Sequence, residues 1–332
     1  MSIFPWQKKQ WQQLIEAKNA NHLPHALLFT GLQGMGKASF ALQFARALLC
    51  QQPTSEAFAC DACHACRLQL GGVHPNVIQV RPETAGHPIK VDQIREAGEF
   101  VCHSALQGQY RIVLIDPANN MNINAANALL KTLEEPPADV VIILISDQRH
   151  RLPATILSRC QQVSFARPPM HEALQWLETK ALETKALETK PALPAATALR
   201  LTDGAPLAAL QLIEADALLP RDALFQAIHS VVMQKGDPIK LAATFQAMDS
   251  IVFIDFMLRF IQDCLRLQLG DELEPMEDKA SVTQLLDITA KISRERNIKL
   301  LDQLQAMRKQ ISQGINLNKQ LVVENTMLAF LE

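Results

Sequence analysis

The sequence of 332 residues is poor in aromatic side chains and has almost equal numbers of acidic and basic residues. It holds one tyrosine and three tryptophans, and 32 Lys and Arg residues nearly balance 34 Asp and Glu residues, for a formal net charge of -2. Proteins that hold nucleic acid alone are usually basic, because they bind phosphates through Lys and Arg, and those that stack bases use aromatic rings. The composition therefore disfavours a free-standing nucleic-acid binder.

Long apolar runs are missing as well. The longest, Val140 to Ile145, is far shorter than the roughly 20 residues that a membrane-spanning helix needs. The first residues, MSIFPWQKKQ, lack the order of a signal peptide, in which charged residues precede an apolar stretch. We therefore expect a cytoplasmic protein without a membrane contact. Since 48% of the residues are hydrophobic, the chain can bury the cores of two or three domains.

Residues 1–166 show the pattern of an α/β domain. Apolar runs typical of buried strands alternate with segments of helical periodicity, and one predicted helix, Ala125–Glu135, ends at two prolines. Such alternation predicts a mostly parallel sheet with its functional residues at the carboxyl ends of the strands. The three clearest strand-like runs are Ala26–Phe29, Ile112–Ile115 and Val140–Ile145.

Helical periodicity dominates from residue 167 onward, which predicts an all-α remainder. A composition change after Arg167 and the start of a second helical block near residue 219 divide it into 167–218 and 219–332. The first part contains a tandem repeat of Leu-Glu-Thr-Lys-Ala between Leu177 and Lys190. Because a five-residue spacing drifts around a helix, we expect an exposed helical extension without a functional role.

A glycine-rich loop follows the first predicted strand. Its residues, Gly31-Leu-Gln-Gly34-Met-Gly36-Lys37-Ala38, fit the phosphate-binding pattern G-x-x-x-x-G-K-[ST] at every position except the last. In such loops backbone N–H groups cradle phosphates, the lysine reaches the terminal phosphates, and the final hydroxyl holds magnesium. Ala38 has no hydroxyl. Lys37 is therefore expected either to keep weak nucleotide affinity or only to pack against the loop.

A second acidic position supports the same conclusion. Asp116 ends the run Ile112–Ile115, where a nucleotide hydrolase carries an acidic residue, but Pro117 stands where such an enzyme usually has a glutamate to orient water. Two groups used in ATP hydrolysis, the hydroxyl that holds magnesium and the carboxylate that orients water, are thus missing from these positions. We expect a phosphate-loop fold without ATP hydrolysis, in which ATP binding by Gly31, Gly34, Gly36 and Lys37 is weak or absent.

Four of the seven cysteines are clustered and predict a metal site. Cys50, Cys60, Cys63 and Cys66 have the spacing C-x9-C-x2-C-x2-C, and four thiolates favour a closed, structural zinc site over a catalytic one. His64 is an alternative ligand. An iron–sulfur cluster is disfavoured because the proline-flanked ferredoxin pattern is absent.

Several segments together resemble a known family. The chain is similar to the delta-prime family of bacterial DNA polymerase III clamp-loader subunits, which belong to the AAA+ class, from about residue 5 to residue 316. The motor subunit of that complex, tau/gamma, differs by carrying Ser or Thr at the position of Ala38, Glu at Pro117 and a lid arginine near Leu207. The matching segments are Leu23–Gly31, the four cysteines, His74-Pro75, Asn127–Pro137 and Ile156–Cys160.

The resemblance implies an organisation and a function. It implies a RecA-like AAA+ domain at 1–166 with a zinc module at 50–66, a helical lid at 167–218, and a helical collar at 219–332. The collar would join tau/gamma and delta subunits in a pentameric ring that loads the sliding clamp onto primed DNA. The chain would be a non-hydrolysing member of the DNA polymerase III holoenzyme, a DNA-directed DNA polymerase and nucleotidyltransferase.

Arg159 is the catalytic residue that the resemblance implies. It lies in Ser158-Arg159-Cys160, after a predicted short helix and before a strand-like run, and would act as an arginine finger on a neighbouring subunit's nucleotide. Two alternatives stay open at this point: an active tau/gamma-like ATPase, and a free-standing zinc-dependent nucleic-acid binder.

Overall fold

The apolar runs of the N-terminal part form a parallel sheet in the computed structural model, which describes residues 3–84, 87–102, 110–184, 195–214, 218–245, 248, 250–270, 279–312 and 317–330. Every residue of its three middle strands is buried, as expected for a parallel sheet covered on both faces. The strand order is β2-β3-β4-β1-β5, with β1 Ala26–Thr30, β2 Val77–Val80, β3 Arg111–Ile115, β4 Val140–Ser146 and β5 Gln161–Ser164.

The strand register brings the ends of β1, β3 and β4 to one edge of the sheet. Thr30 at the end of β1 pairs with Ser146 at the end of β4, and Ile115 of β3 pairs with Leu144. The residues that follow these strands therefore lie at a common carboxyl edge. This confirms the α/β prediction for the N-terminal part and places the glycine loop at the predicted edge.

The chain divides into two compact units: residues 1–176 with 204–208, and residues 177–203 with 209–332. The division into 1–166, 167–218 and 219–332 stays a prediction. The helices of residues 1–176 are α1 Lys8–Asn19, α2 Lys37–Leu49, α3 His64–Leu70, α4 Val91–Cys102, α5 Ile123–Glu134, α6 Ala154–Leu157 and the first part of α7 Met170–Thr184.

Alternation along the strands builds two cores in the first unit. Leu27 and Phe29 of β1 point into one cluster, with Phe40 and Phe44 of α2, whereas Leu28 belongs to a cluster on the opposite face. Successive side chains of a strand point to opposite faces, so one buried strand supplies both clusters. The glycine loop follows this strand, and its Met35 is buried in the first cluster.

The C-terminal part is helical, as predicted. The spacing of Phe253, Met257, Phe260 and Cys264 along α12 puts all four on one face, and all four are buried. No helix of the described ranges combines the length and apolar character needed to cross a membrane. The helices are α8 Ala195–Leu201, α9 Pro206–Glu214, α10 Leu218–Val232, α11 Pro238–Ala243, α12 Ser250–Leu269, α13 Lys279–Lys291, α14 Arg294–Ser312 and α15 Lys319–Leu328.

The tandem repeat only partly fits its prediction. α7 extends through the first repeat unit to Thr184, as a helical extension should. Leu177, however, has no solvent exposure, so the expectation of an exposed segment is wrong at this residue. Leu177 follows the equally buried Ala173 by one helical turn, which places it on the apolar face of α7. Residues 185–190 of the repeat lie outside the described residues.

Candidate functional site

The glycine loop connects β1 to α2 at the carboxyl edge of the sheet. Gly34 and Gly36 both have a φ of 81°, a left-handed conformation that glycine adopts without a steric penalty. At Gly36 a Cβ atom would also lie 2.6 Å from the ring of Phe4. The loop therefore keeps the backbone of a phosphate-binding turn, but a side chain from the N-terminal segment packs directly against it.

Lys37, the phosphate-binding lysine of the pattern, is engaged within the protein. Its side chain is only 3% exposed, and its Nζ donates to the carbonyl oxygens of Gly31 at 2.8 Å and Leu32 at 2.7 Å. Nζ also pairs with Oδ1 of Asp147 at 2.5 Å. An ammonium group has three N–H donors, so these three acceptors use all of them. In this structure the Lys37 side chain packs against the loop.

The segment Phe4–Gln7 covers the outer side of the loop. The Nε1 of Trp6 donates to the carbonyl oxygen of Met35 at 3.2 Å, and the Nε2 of the fully buried Gln7 donates to the same oxygen at 2.9 Å. The rings of Phe4 and Trp6 stack at 5.1 Å, and Trp176 packs edge-on against Trp6 at 5.1 Å. Aromatic side chains thus pack directly against the glycine loop.

Asp116 lies at the same edge, immediately after β3. Burial raises the pKa of its carboxyl group above the usual value, and Asp147 adds to the rise, while Arg81 and Lys37 oppose it. Pro117 follows Asp116 and offers no carboxylate at the position where a nucleotide hydrolase usually carries a glutamate. The edge therefore brings two carboxylates, those of Asp116 and Asp147, close to Lys37.

The four clustered cysteines come together as predicted. Cys50 follows α2, Cys63 caps α3 and Cys66 lies within α3. All four sulfur atoms lie within 4.8 Å of one another, and those of Cys60 and Cys66 are 4.0 Å apart. A tetrahedron with Zn–S bonds of about 2.3 Å has sulfurs about 3.8 Å apart. The four thiols therefore fit a tetrahedral metal site, and His64 is not a member of the group.

Backbone amides prepare these sulfurs to carry negative charge. The amides of Cys60 and Cys63 donate to the sulfurs of Cys50 and Cys60, each at 3.3 Å, and that of Cys66 donates to Cys63 at 3.5 Å. Burial opposes ionisation of Cys63, but hydrogen bonds from the amides of Cys66 and Gln51 outweigh it and lower its pKa to about 6. Burial raises the pKa of Cys66 and of Cys50. A bound metal ion would favour the thiolate form of all four.

The cysteine module is attached to the first helix by aromatic and polar contacts. The ring of Trp11 in α1 stacks on Phe58 at 4.5 Å, and its Nε1 donates to the carbonyl oxygen of Glu56 at 3.2 Å. Arg46 of α2 forms an ion pair with Asp61. These contacts hold the loop between α2 and α3 against the sheet domain, so the cysteine cluster is an extension of that domain.

Arg159 lies between α6 and β5, away from the glycine loop along the chain. Its guanidinium is about one-third exposed and pairs through Nη2 with Oε1 of Glu134 at 2.7 Å. Its Nη1 donates to the carbonyl oxygen of Thr155 at 3.1 Å and to Oγ of Ser158 at 3.3 Å. The group is therefore held at the surface by three acceptors of its own chain.

Sequence reasoning missed the partners of these residues. Asp147 had one available signal, its position directly after the longest buried strand, where parallel sheets place functional groups. Glu134 stands within the segment Asn127–Pro137 that carries the resemblance, but nothing in the segment pairs it with Arg159. The covering role of Phe4 and Trp6 had no sequence signal.

Two family models match most of the chain. The model described as "DNA polymerase III, delta subunit" matches residues 6–169, and that described as "DNA polymerase III, delta subunit, C terminal" matches residues 215–332. The first range contains the glycine loop, the four cysteines and Arg159. The second lies within the helical part.

Curated relatives match over nearly their whole length. The DNA polymerase III subunit delta-prime of Pseudomonas aeruginosa is 36% identical over 324 residues, which cover 97% of this chain and 95% of that protein. The subunit of the same name from Escherichia coli K12 is 30% identical over 328 residues, 99% of this chain and 95% of that protein. Among solved structures, a gamma subunit-related protein of Thermotoga maritima is similar with a TM-score of 0.43 and 19% identity, covering 90% of this chain and 99% of that one.

Proposed function

Because the chain belongs to the family of DNA polymerase III delta-prime subunits, we propose that it is a non-hydrolysing clamp-loader subunit that helps load the sliding clamp onto primed DNA. It works as part of the DNA polymerase III holoenzyme in the cytoplasm. The observation that carries this proposal is the similarity to delta-prime subunits along 97% of the chain. A motor subunit with a variant loop is disfavoured by the features of the loop itself.

The loop geometry supports the absence of ATP hydrolysis. Lys37 already has three acceptors within the chain, so a triphosphate would have to displace Asp147 and two carbonyl groups to recruit it. Ala38 offers no hydroxyl for magnesium, and Pro117 offers no carboxylate for water. Leu207, where the resemblance expects an arginine in a motor subunit, donates its amide to the Gly34 carbonyl at 3.1 Å and adds no charge. In this proposal the loop residues have a structural role and do not form a nucleotide site. They are Gly31, Gly34, Gly36 and Lys37.

Arg159 is the residue through which this chain contributes to catalysis in the proposal. A guanidinium is always charged and presents a rigid set of donors, so it can stabilise the charge that develops on a transferring phosphoryl group. The exposure of Arg159 at the surface is compatible with contact to a nucleotide bound by a neighbouring tau/gamma subunit. The proposed role is therefore an arginine finger supplied in trans.

Zinc is the metal proposed for the cysteine module. Four sulfur ligands at tetrahedral spacing suit a closed structural site, and no position is left open for a water or substrate. A bound Zn2+ would supply folding free energy to the loop between Cys50 and Cys66. The zinc ligands would be Cys50, Cys60, Cys63 and Cys66. Because Trp11 of α1 contacts Phe58 and Glu56 within this loop, zinc binding would also stabilise the packing of the loop on α1.

The partners and domains follow from the same proposal. The AAA+ domain at 1–166, the lid at 167–218 and the collar at 219–332 would place this chain in a pentameric ring with tau/gamma and delta. The sliding clamp and primed DNA would be reached through that complex. With 32 basic and 34 acidic residues, the chain has no charge excess of its own to hold DNA alone.

The decisive experiment removes the finger from a reconstituted clamp loader. Arg159→Ala is expected to lower ATP hydrolysis at the adjacent tau/gamma site by about 10³- to 10⁵-fold, measured with clamp and primed DNA present. Arg149→Ala is the matched control, because Arg149 is exposed in a short helix between β4 and α6 and has no proposed role. Gel filtration checks that both variants assemble. Normal assembly with unchanged hydrolysis by Arg159→Ala would exclude the finger.

The isolated chain provides the complementary test. Purified without partners, it is expected to show no ATP turnover above background. Turnover near 1 per second, which is ordinary for an enzyme, would instead support the tau/gamma-like ATPase. Tight DNA binding by the isolated chain at physiological salt would support the zinc-dependent nucleic-acid binder.

A further inference from the structure

We infer that Glu134 is a positioning residue for Arg159, holding the guanidinium so that it can act on a neighbouring subunit's nucleotide. This inference rests on the proposed function, because it assigns a partner to the proposed arginine finger. The two residues are 25 positions apart in the chain, on different elements. Glu134 ends α5 and Arg159 follows α6.

The contacts divide the donors of Arg159 into two groups. Nη1 uses its hydrogens for the Thr155 carbonyl and the Ser158 hydroxyl, and Nη2 uses one for Glu134. A guanidinium has five N–H donors. Three are thus engaged within the described part of this chain, which leaves one on Nη2 and the one on Nε for an acceptor outside it. Glu134 is the only charged member of the three acceptors.

The position of Glu134 is unfavourable for its own helix. It is the last residue of α5, and Glu135 follows as the C-cap. The C-terminal end of a helix carries partial negative charge, so acidic residues there are destabilising. Both carboxylates are exposed, and an exposed ion pair contributes little to folding stability. Stability of α5 therefore gives no reason for a carboxylate at this position, and its observed contact is the ion pair with Arg159.

Orientation matters because a free arginine side chain loses much rotational freedom when it binds a phosphate. Holding one edge of the guanidinium in advance reduces that loss, and the remaining donors keep a fixed direction. Misplacement of a catalytic group by about 1 Å can lower a rate about 100-fold. Losing Glu134 should therefore reduce hydrolysis by less than losing Arg159, in the range of about 10- to 100-fold.

The test uses Glu134→Ala and Glu134→Gln in the reconstituted clamp loader with clamp and primed DNA. Glu134→Ala should lower kcat for ATP at the adjacent tau/gamma site about 10- to 100-fold with little change in KM. Glu134→Gln should lie between the wild type and Glu134→Ala, because its amide oxygen can still accept from Nη2. Glu135→Ala is the matched control, since it removes the same charge from the same helix end without touching Arg159.

A double variant separates this inference from the proposed function. In the Arg159→Ala background, Glu134→Ala should cause no further loss, because the two residues act as a unit. If Arg159→Ala abolishes hydrolysis but both Glu134 variants behave like Glu135→Ala, the positioning role is wrong and the finger stands. If Arg159→Ala has no effect on hydrolysis, the finger itself is wrong. A rise in hydrolysis without clamp and DNA in Glu134→Ala would show that Glu134 restrains Arg159, which also overturns the inference.

Discussion

The ion pair between Lys37 and Asp147 predicts an asymmetric response to mutation. Asp147→Ala removes the charged partner of an ammonium group that is 3% exposed and leaves it with two carbonyl acceptors. Lys37→Met removes the ammonium itself and leaves Asp147, which is 33% exposed and can be solvated. Asp147→Ala leaves a buried positive charge without its charged partner, whereas Lys37→Met leaves no buried charge. Asp147→Ala should therefore lower stability much more than Lys37→Met.

The burial of the two partners sets the magnitude. Breaking a fully buried pair costs about 3–5 kcal/mol, whereas an exposed pair is worth at most about 1 kcal/mol. Because Asp147 is one-third exposed, water screens part of the interaction, and we expect about 2–3 kcal/mol for Asp147→Ala. Lys37→Met should lower the free energy of unfolding by about 1 kcal/mol or less. The variant that combines Lys37→Met with Asp147→Ala should be about as stable as Lys37→Met alone.

Tryptophan fluorescence during urea unfolding is the appropriate assay. All three tryptophans, Trp6, Trp11 and Trp176, lie in the unit formed by residues 1–176 and 204–208, so their signal reports the unit that contains the ion pair. In thermal unfolding, the midpoint temperature of Asp147→Ala should lie about 4–12 °C below that of the wild type. This follows from roughly 2–4 °C per kcal/mol for a unit of this size. MgATP should not shift the wild-type midpoint.

Three results would refute this reasoning. An unchanged midpoint in Asp147→Ala would mean that Lys37 does not depend on Asp147. If adding Lys37→Met did not restore the stability lost in Asp147→Ala, that loss would not be caused by an unpaired buried charge. A wild-type stabilisation by MgATP of about 2.7 kcal/mol, as expected for a ligand at 100 times its Kd, would mean that Lys37 is available to phosphate.

Two further predictions concern the metal module and the sheet edge. Elemental analysis should find one zinc per chain. Cys66→Ser should lower the zinc content and weaken the stacking of Phe58 on Trp11, which would change the tryptophan fluorescence. A folded protein that contains no zinc would contradict the proposed site. Asp116→Asn should raise stability in urea at pH 7, because a raised pKa means that ionisation of Asp116 opposes folding there. The gain should shrink as the pH falls through the raised pKa of folded Asp116 and disappear below its ordinary value of 3.8, where Asp116 is protonated in both states. An equal gain at pH 7 and below pH 3.8 would contradict the prediction.

Local sequence patterns were enough to predict the elements that depend on neighbouring residues. Runs of buried residues indicated β1, β3 and β4, and the glycine spacing indicated the turn into α2. β2 was missed because it is a four-residue edge strand in which only Val80 is buried, so its apolar signal is weak. The cysteine spacing sufficed to predict that the four thiols come together, since all four lie within 17 consecutive residues.

Only the tertiary structure decided what the candidate residues contact. Lys37 and Asp147 are separated by 110 positions, and they meet because β1 and β4 are neighbours whose ends are in register. Arg159 meets Glu134 because α6 packs against the end of α5. A sequence period specifies which face of a helix or strand is apolar. It does not specify which elements become neighbours, because that depends on how the whole chain buries its apolar surface.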